Sequence, residues 1–148
     1  CASCDWPRII VDDSFNVDCI SCPIGQEGDS QQNYCYTCSH GTGSSVAGQA
    51  CEDCLPGKFA GPFEHGLCTD CPVGTYSNAA KSTTCAACDA GKHQNKVGQH
   101  ICAECQPGEV SGVGQANCDQ CSPGSAQNAT GAASCTNCGA GTFAQSFG

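Results

Sequence analysis

The sequence predicts a small disulfide-rich fold, an elongated tandem array of about nine units of 16–18 residues with short β-hairpins and almost no helix. Three observations predict it. The chain of 148 residues carries 18 cysteines, a density that marks a disulfide scaffold. Leu, Ile, Val and Phe together number only 19. Burial of so few large apolar side chains does not offset the conformational entropy of folding, so cross-links must stand in for a core. Finally, every cysteine belongs to a C-x-x-C pair, and the nine pairs recur at nearly constant spacing.

The pairs begin at Cys1, Cys19, Cys35, Cys51, Cys68, Cys85, Cys102, Cys118 and Cys135. Three residues beyond the second cysteine stands a glycine: Gly25, Gly41, Gly57, Gly74, Gly91, Gly108, Gly124 and Gly141. The first unit has Pro7 there instead. Pro56, Pro107 and Pro123 precede the glycine, and Pro-Gly is turn chemistry. An aromatic follows two residues after it at Phe59, Tyr76 and Phe143. A second glycine precedes the next cysteine at Gly48, Gly66, Gly98, Gly114 and Gly131. Each unit thus reads as C-x-x-C, turn, extended piece, second turn, Cys. Only 12 to 14 residues separate the bracketing cysteines, so strands of three or four residues in a small hairpin fit and helices do not.

Residues 1–18 are an atypical first unit, with Trp6, the run Ile9-Ile10-Val11, and Asp12, Asp13 and Asp18; they read as a cap or a junction. Residues 19–148 are the tandem repeats. The chain has no methionine and stops inside a repeat, so it reads as a fragment or processed product of a longer protein. No apolar run is long enough to span a bilayer, and no direct membrane insertion is expected. A net charge of −9 with five Lys and Arg excludes nucleic acid as a partner, because phosphates need a basic footprint. Anionic lipid is disfavoured for the same reason.

Two periodic connectivities are open. The simpler joins the second cysteine of one unit to the first of the next: Cys4–Cys19, Cys22–Cys35, Cys38–Cys51, Cys54–Cys68, Cys71–Cys85, Cys88–Cys102, Cys105–Cys118 and Cys121–Cys135. Cys1 and Cys138 are then unpaired within the sequence and permit an intermolecular bridge. Each such loop is worth about 3 kcal/mol in the chain-entropy account. The rival scheme bonds first to first and second to second across neighbouring pairs, which strands one pair of the nine.

The pattern C-x-x-C-x-P-G-x-[FY], carried by Cys51–Cys54 with Pro56-Gly57-Lys58-Phe59 and by Cys68–Cys71 with Gly74-Thr75-Tyr76, resembles the ephrin-receptor-like cysteine-rich repeat. Its loop is also similar to the opening module of tumour-necrosis-factor-receptor repeats and to the last loop of epidermal-growth-factor-like domains. In those families the loop closes one cysteine to the next, which supports the serial scheme. Long arrays rich in Ala, Thr, Ser, Gly and Gln are similar to cysteine-rich surface proteins of protists, including ciliate immobilisation antigens. The resemblance implies an extracellular, cell-surface location. It covers the chain from Cys19 onward. His93, Val110 and Ala126 depart from the aromatic, and the six-cysteine receptor module is absent, so ligand binding does not carry over.

Other chemistries fit less well. Tetrahedral zinc sites need an even number of C-x-x-C pairs, and the glycine sits one residue later than in the DnaJ-type zinc repeat. Redox C-x-x-C pairs need a βαβ setting. His40, His65, His93 and His100 read as solvated loop residues, with no Ser-His-Asp or Cys-His arrangement. Asp12, Asp13 and Asp18 lack an EF-hand pattern. Asn128-Ala129-Thr130 is a glycosylation sequon, Asn33-Tyr34-Cys35 its rare cysteine variant, and Ser82-Thr83-Thr84 could carry O-glycans.

The expectation is a structural extracellular glycoprotein, part of a coat, hair or filament, with no catalytic residues, cofactor or metal. It would self-associate, or meet other surface proteins, through Trp6, Phe59, Phe63, Tyr76, Phe143 and Phe147. The alternatives are a ligand-binding or adhesion stalk, with Gly61–His65 as the distinct loop, and a zinc-binding C-x-x-C protein.

Overall fold

The computed structural model describes residues 8–13, 16–29 and 34–142, with side chains from Ile20 onward. These residues form sixteen short strands and no helix. In chain order the strands are β1 (Arg8–Asp13), β2 (Asn16–Ser21), β3 (Gln26–Asp29), β4 (Tyr34–Thr37), β5 (Thr42–Gly43), β6 (Glu52–Asp53), β7 (Lys58–Phe59), β8 (Thr69–Asp70), β9 (Thr75–Tyr76), β10 (Ala86–Ala87), β11 (Lys92–His93), β12 (Ala103–Glu104), β13 (Glu109–Val110), β14 (Asp119–Gln120), β15 (Ser125–Ala126) and β16 (Thr136–Asn137). Each pairs with its chain neighbour in a two-stranded sheet. The fold is therefore a series of disulfide-rich hairpin units. They fall into two compact units: the chain to Thr69 with Ala79–Thr84, and Asp70–Asn78 with the chain from Cys85.

The hairpin follows from the repeat. The residue after the turn glycine donates its N–H back across the turn, as Lys92 does to Asp89 at 3.0 Å and Glu109 to Gln106 at 3.0 Å. The glycine itself has φ between 76° and 89° in all eight units. Proline-compatible φ followed by positive φ is a type II turn, which is why Pro-Gly recurs. The next two residues form the outgoing strand, and the x-x of the following C-x-x-C forms the return, as in Lys92↔Glu104 and His93↔Ala103.

From β5 onward the strands have two residues each, shorter than the three or four expected. The third residue after the glycine leaves the hairpin to serve the neighbouring repeat. Its carbonyl accepts the N–H of the preceding turn glycine. In the first unit these bonds are Gly25→Ser44 (2.8 Å) and Gly41→Ala60 (2.7 Å); in the second they are Gly74→Gln94 (2.7 Å), Gly91→Ser111 (2.8 Å) and Gly108→Gln127 (2.6 Å). β1 and β2 are longer, at six residues, and pair from Arg8↔Ser21 to Asp13↔Asn16. Their β-branched Ile9, Ile10, Val11 and Val17 suit an extended backbone.

A second set of bonds joins the later turn to the preceding loop. Gly48 and Lys81 donate to the carbonyls of Cys22 and Cys54, and Gly98, Gly114 and Gly131 to those of Cys71, Cys88 and Cys105, all at 2.8 to 2.9 Å. Lys81 holds φ 60° where its counterparts are glycine. Its ammonium lies 3.4 Å from the Asp53 carboxylate.

The buried side chains are small. The second cysteine of each described pair up to Cys121 is at most 5% exposed. Ser44, Ala60, Ser77 and Ser111, each three residues past a turn glycine, are at most 4% exposed. Repeats also touch beyond their nearest neighbour. A Cβ on Gly74 would fall on the carbonyl oxygen of Gly114, two loops on, and a Cβ on Gly91 on that of Gly131. Only glycine permits that approach.

Candidate functional site

Seven disulfides are present among the described residues: Cys22–Cys35, Cys38–Cys51, Cys54–Cys68, Cys71–Cys85, Cys88–Cys102, Cys105–Cys118 and Cys121–Cys135. Each closes a loop of 13 or 14 residues. In every bond the second cysteine of a pair is buried and the first of the next is half-buried. A thiolate attacking the outer sulfur must expel the inner one as an anion inside the protein, which desolvation opposes. The arrangement slows reduction of each bond. A Cys₄ zinc site needs thiolates, and these fourteen sulfurs are bonded in pairs.

In three repeats the residue two after the turn glycine lies beside the next loop's disulfide. Glu27 accepts the Cys51 N–H at 2.9 Å and the Tyr36 hydroxyl at 2.6 Å. The bond to Glu27, then burial and the nearby negative charge of Glu27 and Asp29, push the Tyr36 hydroxyl up to about 12. Tyr76 lines a cavity with Ile101 and Cys102. The His93 Nδ1 lies 3.0 Å from Cys118 Sγ. His93, Cys105 and Cys118 bring three donor atoms within 4.8 Å of one another. Phe59 and Tyr76 are half-buried, whereas Phe63 is 83% exposed.

Because Tyr36 holds its proton above the ordinary value, the folded chain binds more protons than the unfolded chain between pH 10 and about 12. The stability that this hydroxyl contributes is therefore full below pH 10 and is lost as pH rises through about 12. A pH-jump tyrosinate titration should show one tyrosine ionising near 12, and Tyr36→Phe should remove that step.

Phe63 stands on the loop Gly61–His65, where the Glu64 carboxylate accepts the Gly61 N–H at 2.8 Å and His65 holds φ 50°. Beside it lies a cavity of about 690 Å³ lined by His40, His65, Pro62 and Thr37. Both histidines line this one cavity; His93 lies on the Cys105–Cys118 disulfide, and exposed His100 lines neither site.

A family model described as tyrosine-protein kinase ephrin type A/B receptor-like matches residues 57–105 and 108–148, more than half of the chain. The chain belongs to this ephrin-receptor-like family. Both matched stretches begin at a turn glycine, Gly57 and Gly108, in phase with the hairpin units. Ephrin-receptor-like repeats stapled in this way make the chain an extracellular, receptor-like ectodomain segment. No helix of the described residues is long and apolar enough to cross a membrane. Comparison with curated proteins returns no match.

Asn128 is exposed, on a loop shaped by the Gln127 side chain, which accepts the Ala129 N–H at 3.0 Å and donates to the Ser134 carbonyl at 3.0 Å. Cys138 carries a free, half-buried thiol, and its N–H donates to the Gly124 carbonyl at 2.9 Å as the Cys121 N–H does to Gly108. Cys1, Cys4, Trp6, Asn33, Phe143, Phe147, the Cys19 sulfur and the carboxylates of Asp12, Asp13 and Asp18 lie outside the described residues. The buried position three past the glycine escaped the sequence reading. Its signal was the small set Gly28, Ser44, Ala60, Ser77 and Ser111, alternating with Gln94 and Gln127.

Proposed function

We propose that this ephrin-receptor-like segment is a non-catalytic structural scaffold of an extracellular coat, hair or filament. The observation that carries the reading is the ladder from the turn glycines Gly25, Gly41, Gly74, Gly91 and Gly108 to the third residue past the next, repeated in both units. It couples loops by the same bond whatever their side chains, as a repeat scaffold requires. Buried cysteine, serine, alanine and threonine leave exposed side chains free to vary without disturbing that coupling. Self-association or contact with other surface proteins would then use exposed groups such as Phe63 and Val113, 83% and 71% exposed. Electron microscopy of the native full-length protein tests this reading. Filaments or a continuous coat are expected, and dispersed monomers at cell-surface density would refute it.

A second reading is an adhesion or receptor stalk. The loop Gly61–His65, with its exposed Phe63 and the adjoining two-histidine cavity, favours it as a feature found in one repeat only among the described residues. Phe63→Ala should then abolish capture of a surface partner while leaving any filament intact.

We also assign N-glycosylation to Asn128. Asn128→Gln should lower the mass of the secreted protein by one glycan; an unchanged mass would exclude the assignment.

A further inference from the structure

We propose that His93, Cys105 and Cys118 form a reduction-gated site for one thiophilic d¹⁰ cation, of the class of Zn(II), Cd(II) or Cu(I). Its three donors lie within 4.8 Å of one another, one nitrogen and two sulfurs. Imidazole and thiolate are the ligands that such ions prefer. The nitrogen is held in place before any ion arrives. The Ser111 hydroxyl donates to the Lys92 carbonyl at 2.9 Å, and the Gln94 N–H donates to the Gln115 carbonyl at 3.3 Å. Both residues flanking His93 are therefore tied to the loop that Cys105 and Cys118 close. At the same position the other units carry Glu27, Gly43, Phe59, Tyr76, Val110 and Ala126, and no other imidazole sits on a disulfide among the described residues.

In the oxidised chain the two sulfurs are bonded to each other and the site is shut. A dithiol reductant opens it with two electrons. One reductant thiolate attacks the half-buried Cys118 sulfur and Cys105 leaves as a thiolate. The reductant's second thiolate then attacks its own sulfur, leaves as the cyclic disulfide and releases Cys118 as a thiolate. Cys105 and Cys118, released as thiolates while the two protons of the dithiol pass to water, bind the cation directly, giving an S₂N set with open positions for water. Other opened loops offer two sulfurs without the imidazole. By mass action the cation draws the population opened at Cys105–Cys118 out of the mixture.

The test uses the full chain with one equivalent of a water-soluble trialkylphosphine, which supplies two electrons and becomes the phosphine oxide. One equivalent of Cd(II) is the probe. After chelation and alkylation, peptide mapping should find the label, beyond that taken by the free Cys138 thiol, concentrated on Cys105 and Cys118, and a thiolate-to-cadmium absorption band should have appeared before chelation. Without cadmium the label should spread over several bonds. His93→Phe keeps an aromatic that Phe59 shows the position accepts, and a non-reduced map verifies that its disulfides form. It should weaken cadmium retention at least about tenfold and disperse the label. A label pattern indifferent to cadmium, or equal retention in the phenylalanine variant, would overturn the proposal.

Discussion

Gly91→Ala is expected to destabilise the chain by several kcal/mol, and Gly124→Ala by only about 1 kcal/mol, although both glycines occupy the same place in the repeat. Both have positive φ, 84° and 88°, so both substitutions carry the left-handed cost. The difference lies in what the new methyl meets. At Gly91 it falls on the backbone carbonyl of Gly131, two loops on, whereas at Gly124 nothing lies within 4 Å. A backbone carbonyl cannot rotate away as a side chain would. The Gly91–Ser111 bond of 2.8 Å must then lengthen as the repeats part. Denaturant midpoints under oxidising conditions measure both variants. Equal losses would mean that the contact two loops on contributes nothing.

Replacing Cys88 and Cys102 together by alanine should cost about 3 kcal/mol from loop entropy alone, with a cavity cost added for fully buried Cys88. The loss should spread to both neighbours. Gln94 in this loop accepts the Gly74 N–H, and Gly114 of the next loop donates to the Cys88 carbonyl. Hydrogen exchange should therefore accelerate at Gly74 and Gly114 as well as between residues 88 and 102, while Gly25 and Gly41 keep their protection. Confinement of the effect to the opened loop would show that the bonds between repeats carry little coupling.

The unit itself was legible because its determinants are local. Pro-Gly at 56–57, 107–108 and 123–124 states the turn type, and the period of the cysteines states the loop length. Strand length was not legible. It is set by the third residue past the glycine, whose bond goes to another repeat, and no local pattern shows that. The same holds for Gly74 and Gly91, where the turn requires positive φ but the close approach of Gly114 and Gly131 depends on how loops stack. Lys81 was passed over because it is not glycine, yet its N–H donates to the Cys54 carbonyl at 2.8 Å as its glycine counterparts do in their loops. His93 read as a solvated loop residue. Aligning it with Tyr76 would have placed it beside the following disulfide.

The serial staple is the centre of this account, and a proteolytic map of the non-reduced, thiol-blocked protein tests it most directly. The structure predicts cross-linked peptides joining each second cysteine to the next first one, from Cys22–Cys35 through Cys121–Cys135. Peptides joining Cys22 to Cys38 or Cys35 to Cys51, or blocked thiols throughout with zinc in the native mass, would contradict it.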